Sequence, residues 1–390
     1  MHPPPPTLRQ AWIAVSAVYF AYGVGLGLWA AHIPLVKAGL GLSASEMGIA
    51  LLGMAAGAIT VMPLMGWVIG LFGSRRCTVV AGTAFVLLVT LPLIAPSWPL
   101  LIASTLVLGA ANGGVDVAMS TQGTVIEKAM GRPIMSSVNG FFSLGGVVGA
   151  GVASLILSLD LAPAARTLLA TVPLAVLVLA TGFWLLRRDP PQEGGHGLRL
   201  PSGPALLLGG LALLSVLAEW ATLDWSAIFL TSELGAPAHV GAWGFGAFCV
   251  AMMIGRFTGD EVVRRLGGAR VLTLSGLLST VGTLVFALAP SVPVALFGFA
   301  LTGFGLANLF PVLISAASRL PGIPAGQGVA MVASFAYAGG LVGPVLIGFG
   351  TDLVGIRLAL GSLVLAGVAL GIAGLAGALP GVARPARAAG

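Results

Sequence analysis

Twelve apolar stretches of about 20 residues or more follow one another along the chain, at roughly 11–34, 46–70, 77–96, 99–126, 134–158, 164–186, 204–230, 238–262, 270–289, 292–318, 325–350 and 355–379. A bilayer core is crossed by ~20 apolar residues of helix, and in lipid the backbone must satisfy its own hydrogen bonds. The sequence therefore predicts an all-α membrane protein with twelve transmembrane helices. Only 8% of the 390 residues are charged, against about 25% in a soluble domain. The short alternating segments of a transmembrane barrel do not occur. The 58 glycines suit helices whose backbones pack closely.

Charge is sorted by side. With the N-terminus in the cytoplasm, 15 of the 18 Lys and Arg residues fall at cytoplasmic ends, all but Lys37, Arg166 and Arg357. This positive-inside pattern accounts for the basic character without nucleic acid. It places both termini in the cytoplasm of a multi-pass protein of the bacterial inner membrane. "MHPPPPTLRQ" lacks a cleavage site after a short apolar core, so residues 1–10 read as a disordered start. Cys77 and Cys249 are isolated thiols, and the four His residues (2, 32, 196 and 239) have no ligand spacing. No disulfide framework, metal site or catalytic cluster follows. No GxxxxGK[ST] motif occurs, so ATP is not the fuel. Neither enzymatic activity nor a cofactor is expected.

The longest polar stretch, "RRDPPQEGGHGLRLPSG" (187–203), reads as a cytoplasmic linker. It separates a six-helix half at 11–186 from a second at 204–379, with a tail at 380–390. A shift of 194 residues lays "FFSLGGVVG" (141–149) on "FAYAGGLVG" (335–343), Gly109 on Gly303, Gly73 on Gly267 and Arg76 on Arg270. One constant offset across several spans predicts two homologous halves related by an axis along the membrane normal, with a site between them near mid-membrane.

The 6+6 spans, the central linker and the loop "GWVIGLFGSRR" together resemble the major facilitator superfamily. That loop is similar to the family's G-x-x-x-D-x-x-G-R-[KR] signature, carried here by Gly66, Gly73, Arg75 and Arg76. Gly70 stands where the acid belongs. The second half offers "GRFTGDEVVRRLGGAR", with Asp260 displaced from the signature position. The resemblance implies that this loop steadies one alternating state through charge contacts, a role the missing acid puts in question for the first half. More narrowly, "WAAHIPLVK", "GGVDVAMSTQG", "GRPIMSSVNG" and "EWATLDWSAIFL" look like a bacterial branch near fucose–proton symporter-like permeases.

Ionisable groups at membrane depth are costly unless paired or hydrated, and are functional suspects. Asp116 is the one charge between Pro99 and Ile126. It lies about 25 Å along the fourth span at ~1.5 Å per residue, and shares a face with Asn112 and Ser120. Either this stripe lines a hydrated cavity, or Asp116 is held in an interhelical hydrogen bond to a group such as Asn139. The equivalent place in the second half is Phe310, so the common fold does not need the acid. In the seventh span Ser215, Glu219, Thr222 and Ser226 form a second stripe. Asp224 points about 140° away from Glu219, and the two need not share a role. Trp29, Trp220, Trp225 and Trp243 are candidates to stack on a sugar ring, whereas Trp12, Trp67 and Trp98 read as interfacial aromatics. Asn139, Phe142 and Tyr337 are weaker cavity candidates. His32 reads as a gate or hydrated helix end, and Arg256 as the ion-pair partner of Asp260.

The expected function is alternating-access transport of a small polar solute, sugar-like and coupled to protons by symport. The antiporter-type Gly-Pro signature is missing from "GFFSLGGVVGAGVA", which favours symport over the alternative, a proton-coupled exporter. A membrane-embedded sensor or enzyme is the contrasting class, and the loops are too short to hold one. The expected partners are the solute, protons and lipid, with the protein a monomer.

Overall fold

The computed structural model describes residues 6–131, 134–159, 161–187, 203–323 and 325–376. The tail at 380–390, most of the linker at 187–203 and the start of the N-terminal segment lie outside them. Among the described residues twelve helices are long and apolar enough to cross a membrane, and no strand occurs. They are α1 (Leu8–Gly39), α2 (Ala44–Phe72), α3 (Ser74–Leu88), α4 (Trp98–Met130), α5 (Met135–Leu157), α6 (Pro163–Thr181), α7 (Gly203–Ile228), α8 (Ala238–Leu266), α9 (Gly268–Ala287), α10 (Val292–Ala317), α11 (Ala325–Val354) and α12 (Ile356–Leu375).

Local chemistry sets several of these boundaries. Thr7 and Gln10 form a capping box, as do Ser43 and Glu46, so that side chains satisfy the orphan N–H groups of the first turn. Residues 8–10 therefore belong to α1 and not to the expected disordered start. α10 is broken into Val292–Leu306 and Leu309–Ala317. Pro311 explains the break: it has no N–H to offer the carbonyl of Ala307 four residues earlier. At the α2–α3 and α8–α9 turns, Gly73 (φ 83°, ψ 146°) and Gly267 (φ 79°, ψ 152°) adopt nearly the same backbone conformation. Its positive φ is strained for any residue with a Cβ.

The chain divides into two compact units, Met1–Glu193 with Pro237–Gly246, and Gly194–Ala236 with Ala247–Gly390. Within the first, α1 packs on α5, α2 on α4, and α3 against α4 and α6. A Cβ on Gly23 would collide with the carbonyl oxygen of Phe142, and one on Gly145 with that of Phe20. Within the second unit, α7 packs on α11, and α9 on α10 and α12. There Gly339 meets the Leu213 carbonyl as Gly145 meets that of Phe20. Gly109 abuts Met54 and Gly303 abuts Phe248, both pairs separated by the 194-residue shift of the sequence repeat. The repeat is thus written in which backbones touch.

Candidate functional site

Among the described residues, each unit carries polar side chains grouped inside its spans. In the second unit these include an ion pair: Arg256 Nη2 on α8 donates to Glu219 Oε1 on α7 at 3.2 Å, with the side chains 20% and 13% exposed. The helix around Arg256 is shaped to admit its neighbours. Gly255 and Gly259 flank it, and the Asn308 amide from the break in α10 donates to the Gly255 carbonyl at 3.1 Å. A Cβ on Gly259 would collide with the same amide. The break caused by Pro311 therefore presses a polar side chain against α8 one residue from Arg256. A guanidinium carries five donors in a planar fork, a geometry that suits a solute hydroxyl or carboxylate as well as Glu219.

The rest of the α7 stripe is closed off from solvent. Ser215, Thr222 and Ser226 are fully buried. Thr222 donates to the Ala218 carbonyl at 2.7 Å and Ser226 to that of Leu223 at 3.1 Å, the usual refuge of a hydroxyl in an apolar helix. Trp220 is half-buried and lays its indole 3.7 Å from the position of a Cβ on Gly340. Asp224 is half-buried and takes no hydrogen bond or ion pair among the described residues.

In the first unit, Tyr19 on α1 shares a hydrogen bond of 3.2 Å with Ser120 on α4. Asp116, one turn earlier on α4, lies within electrostatic reach of the Tyr19 hydroxyl. Asn112 is 3% exposed, and its Oδ1 has no hydrogen-bond partner among the described residues. Asn139 donates to the Met135 carbonyl of its own helix at 2.9 Å. Phe142 stacks at a tilt on Tyr22, ring centroids 5.3 Å apart. Phe310 is half-buried, and Tyr337 is exposed at 45%.

Several expected roles change. Trp225 is fully buried, with its indole N–H on the Pro344 carbonyl at 3.2 Å, and Trp29 is 1% exposed. Both are packing residues and cannot stack on a solute. Trp243 is 53% exposed and donates to Ser154 at 2.9 Å. His32 is not a hydrated helix end: it is 3% exposed, with Nδ1 2.7 Å from the Leu28 carbonyl and Nε2 without a partner among the described residues. Glu219 pairs with Arg256; the side chain of the expected partner, Asp260, lies outside the described residues. Gly66 has open space where a Cβ would stand, so packing does not demand a glycine there. Arg75 and Arg76 form no ion pair among the described residues.

Sequence reasoning missed Gln122. It is fully buried on α4, and its Nε2 donates to Ser74 Oγ at 2.7 Å and to the Leu186 carbonyl at 2.8 Å. One amide thus ties the start of α3 to the chain beyond α6. The available signal was an amide inside a membrane span, at the centre of the polar stretch Ser120, Thr121, Gln122 and Thr124.

Comparison with known proteins follows this geometry. A family model described as Major Facilitator Superfamily matches residues 12–223. An uncharacterized MFS-type transporter of Yersinia pestis is 36% identical over 353 residues, 90% of this chain and 92% of the relative. The membrane protein MosC of Rhizobium meliloti is 32% identical over 360 residues, 91% and 87% of the two chains. Among solved structures, a variant of the nucleoside transporter NupG superposes with a TM-score of 0.77 at 14% identity, covering 94% of this chain and 99% of the other. A D-xylose-proton symporter gives a TM-score of 0.71 at 15% identity, covering 94% and 96%. At such identities the likeness is one of fold.

Proposed function

The chain belongs to the Major Facilitator Superfamily, and we propose that it is a secondary active transporter moving a small polar solute together with protons by alternating access. The observation that carries this reading is the Arg256–Glu219 pair within the spans of the second unit. Charges at that depth are costly to keep and are retained for function. A proton on Glu219 weakens the pair, and so does a solute hydroxyl or carboxylate that takes donors from Arg256. Two events that relax one contact are thermodynamically linked, each changing the other's affinity by the same factor. That linkage is what coupled transport requires.

Asp116 supplies the first unit's carboxylate in this scheme, with Tyr19 and Ser120 beside it. Trp220, next in sequence to Glu219 and half-buried, offers an aromatic face for a sugar ring. The names of two structural neighbours, a nucleoside transporter and a D-xylose-proton symporter, support hydroxylated solutes as the first class to try. The sorted charges support an orientation with both termini in the cytoplasm of the bacterial inner membrane. Proton-coupled export is the alternative direction.

The test is a thermal-shift screen of the purified protein against sugars, polyols, nucleosides and organic acids, followed by uptake into proteoliposomes under an inward proton gradient. The proposal expects hits among hydroxylated solutes, lost in Arg256→Ala and Trp220→Ala. Hits confined to apolar cations, expelled rather than accumulated, would establish the exporter instead.

A further inference from the structure

A cavity of about 710 Å³ lies on the first unit, bounded by the α2–α3 turn, α3 and the end of α6. Its lining combines three arginines, Arg75, Arg76 and Arg187, with the apolar Phe72, Val80 and Phe183. The apolar residues are open: Phe72 is 57% exposed, Val80 69% and Phe183 72%. Arg75 feels the positive charges of both Arg187 and Arg76. None of the three forms an ion pair among the described residues.

Like charges do not gather without something to hold them. Here Gln122 does so, by fixing Ser74 and Leu186, the residues immediately before Arg75 and Arg187. The sequence also lacks the signature loop's own acid at this cluster. Gly70, exposed one turn before Arg75, occupies the position where the signature loop carries a carboxylate. The outcome is a cationic floor with no ion-paired acid among the described residues, beside a lipid-soluble wall.

We propose that this cavity binds an anionic phospholipid, with its phosphate on Arg75, Arg76 and Arg187 and the upper acyl chains along Phe72, Val80 and Phe183. The volume falls within the usual range for a small-molecule site. Basic pockets between spans on the cytoplasmic side recognise anionic headgroups, and each arginine near such a surface contributes about fivefold in affinity. A soluble anion would gain from the arginines but not from the exposed aromatics, so the wall selects the lipid. The cytoplasmic placement rests on the orientation proposed above. Lipid binding is measured without any transport step, so its outcome stands apart from the coupling scheme.

The experiment is native mass spectrometry of the full chain released from nanodiscs of phosphatidylcholine containing one fifth phosphatidylglycerol. The wild type should retain phosphatidylglycerol well above its bulk share. The triple variant Arg75→Gln, Arg76→Gln, Arg187→Gln should lose that preference, by roughly a hundredfold at most and at least tenfold. The triple Arg→Lys variant keeps the charge and the membrane orientation and should retain most of it. Gly70→Asp leaves every arginine in place and should weaken retention by about fivefold, so the test survives a triple variant that fails to insert. Retention unchanged in the Gln triple or in Gly70→Asp would overturn the proposal. So would equal displacement of the lipid by millimolar inorganic phosphate, which would mark a site for soluble anions.

Discussion

Neutralising one partner of the Arg256–Glu219 pair should cost far more than neutralising both. Removing one member of a buried pair strands the other in low dielectric, at about 3–5 kcal/mol. The side chains here keep 20% and 13% exposure, and partial hydration lowers the expected cost to about 2–3 kcal/mol for Glu219→Gln or Arg256→Met. In the double variant no charge is stranded, and the total should fall below about 1 kcal/mol, since a neutral replacement of a buried pair is often tolerated. The coupling energy is then about 3 kcal/mol or more, well above the ~0.5 kcal/mol scatter of independent sites. Unfolding free energies from SDS titration in mixed micelles, followed by far-ultraviolet circular dichroism, would measure all four corners of the cycle. Additive single costs, with coupling under about 0.5 kcal/mol, would refute the reasoning. They would mean that water screens the two groups and that membrane depth does not set their energetics.

Asp116→Asn should abolish proton-driven accumulation while leaving insertion and thermal stability intact; full accumulation would reduce Asp116 to a structural hydrogen-bonder. Gly23→Leu should prevent folding, because its Cβ would overlap the Phe142 carbonyl, whereas Gly39→Ala, with nothing within 4 Å, should be neutral; size-exclusion profiles of the two separate these outcomes. Gln122→Leu should destabilise by about 2–3 kcal/mol by leaving Ser74 and the Leu186 carbonyl without their shared donor. The same SDS titration checks that value.

Much of the fold was legible because a bilayer imposes a simple code. Length, apolarity and loop charge marked out twelve spans, a constant 194-residue offset marked the repeat, and the Gly109–Met54 and Gly303–Phe248 contacts keep that offset on both sides. Two finer signals were present and not used. The Thr7-to-Gln10 spacing is a capping box that starts α1 at Leu8. The Asn308–Pro311 stretch marks the break in α10 that brings an amide onto α8. The Arg256–Glu219 pair was not legible, because which carboxylate meets an arginine on the next span depends on tertiary register. Trp225 shows the converse limit. It lies six residues from Glu219, but its side of α7 faces Pro344 in α11, and sequence spacing does not say which helix covers a face.

The central claim is that proton and solute meet at Glu219. Proteoliposomes loaded with pyranine test it most directly, with pentoses, hexoses, polyols and nucleosides added singly outside. The account predicts lumenal acidification on addition of a transported solute to the wild type. It predicts that Glu219→Gln still exchanges that labelled solute across the membrane but without acidification. Wild-type acidification in Glu219→Gln, or transport by the wild type with no proton movement, would contradict it.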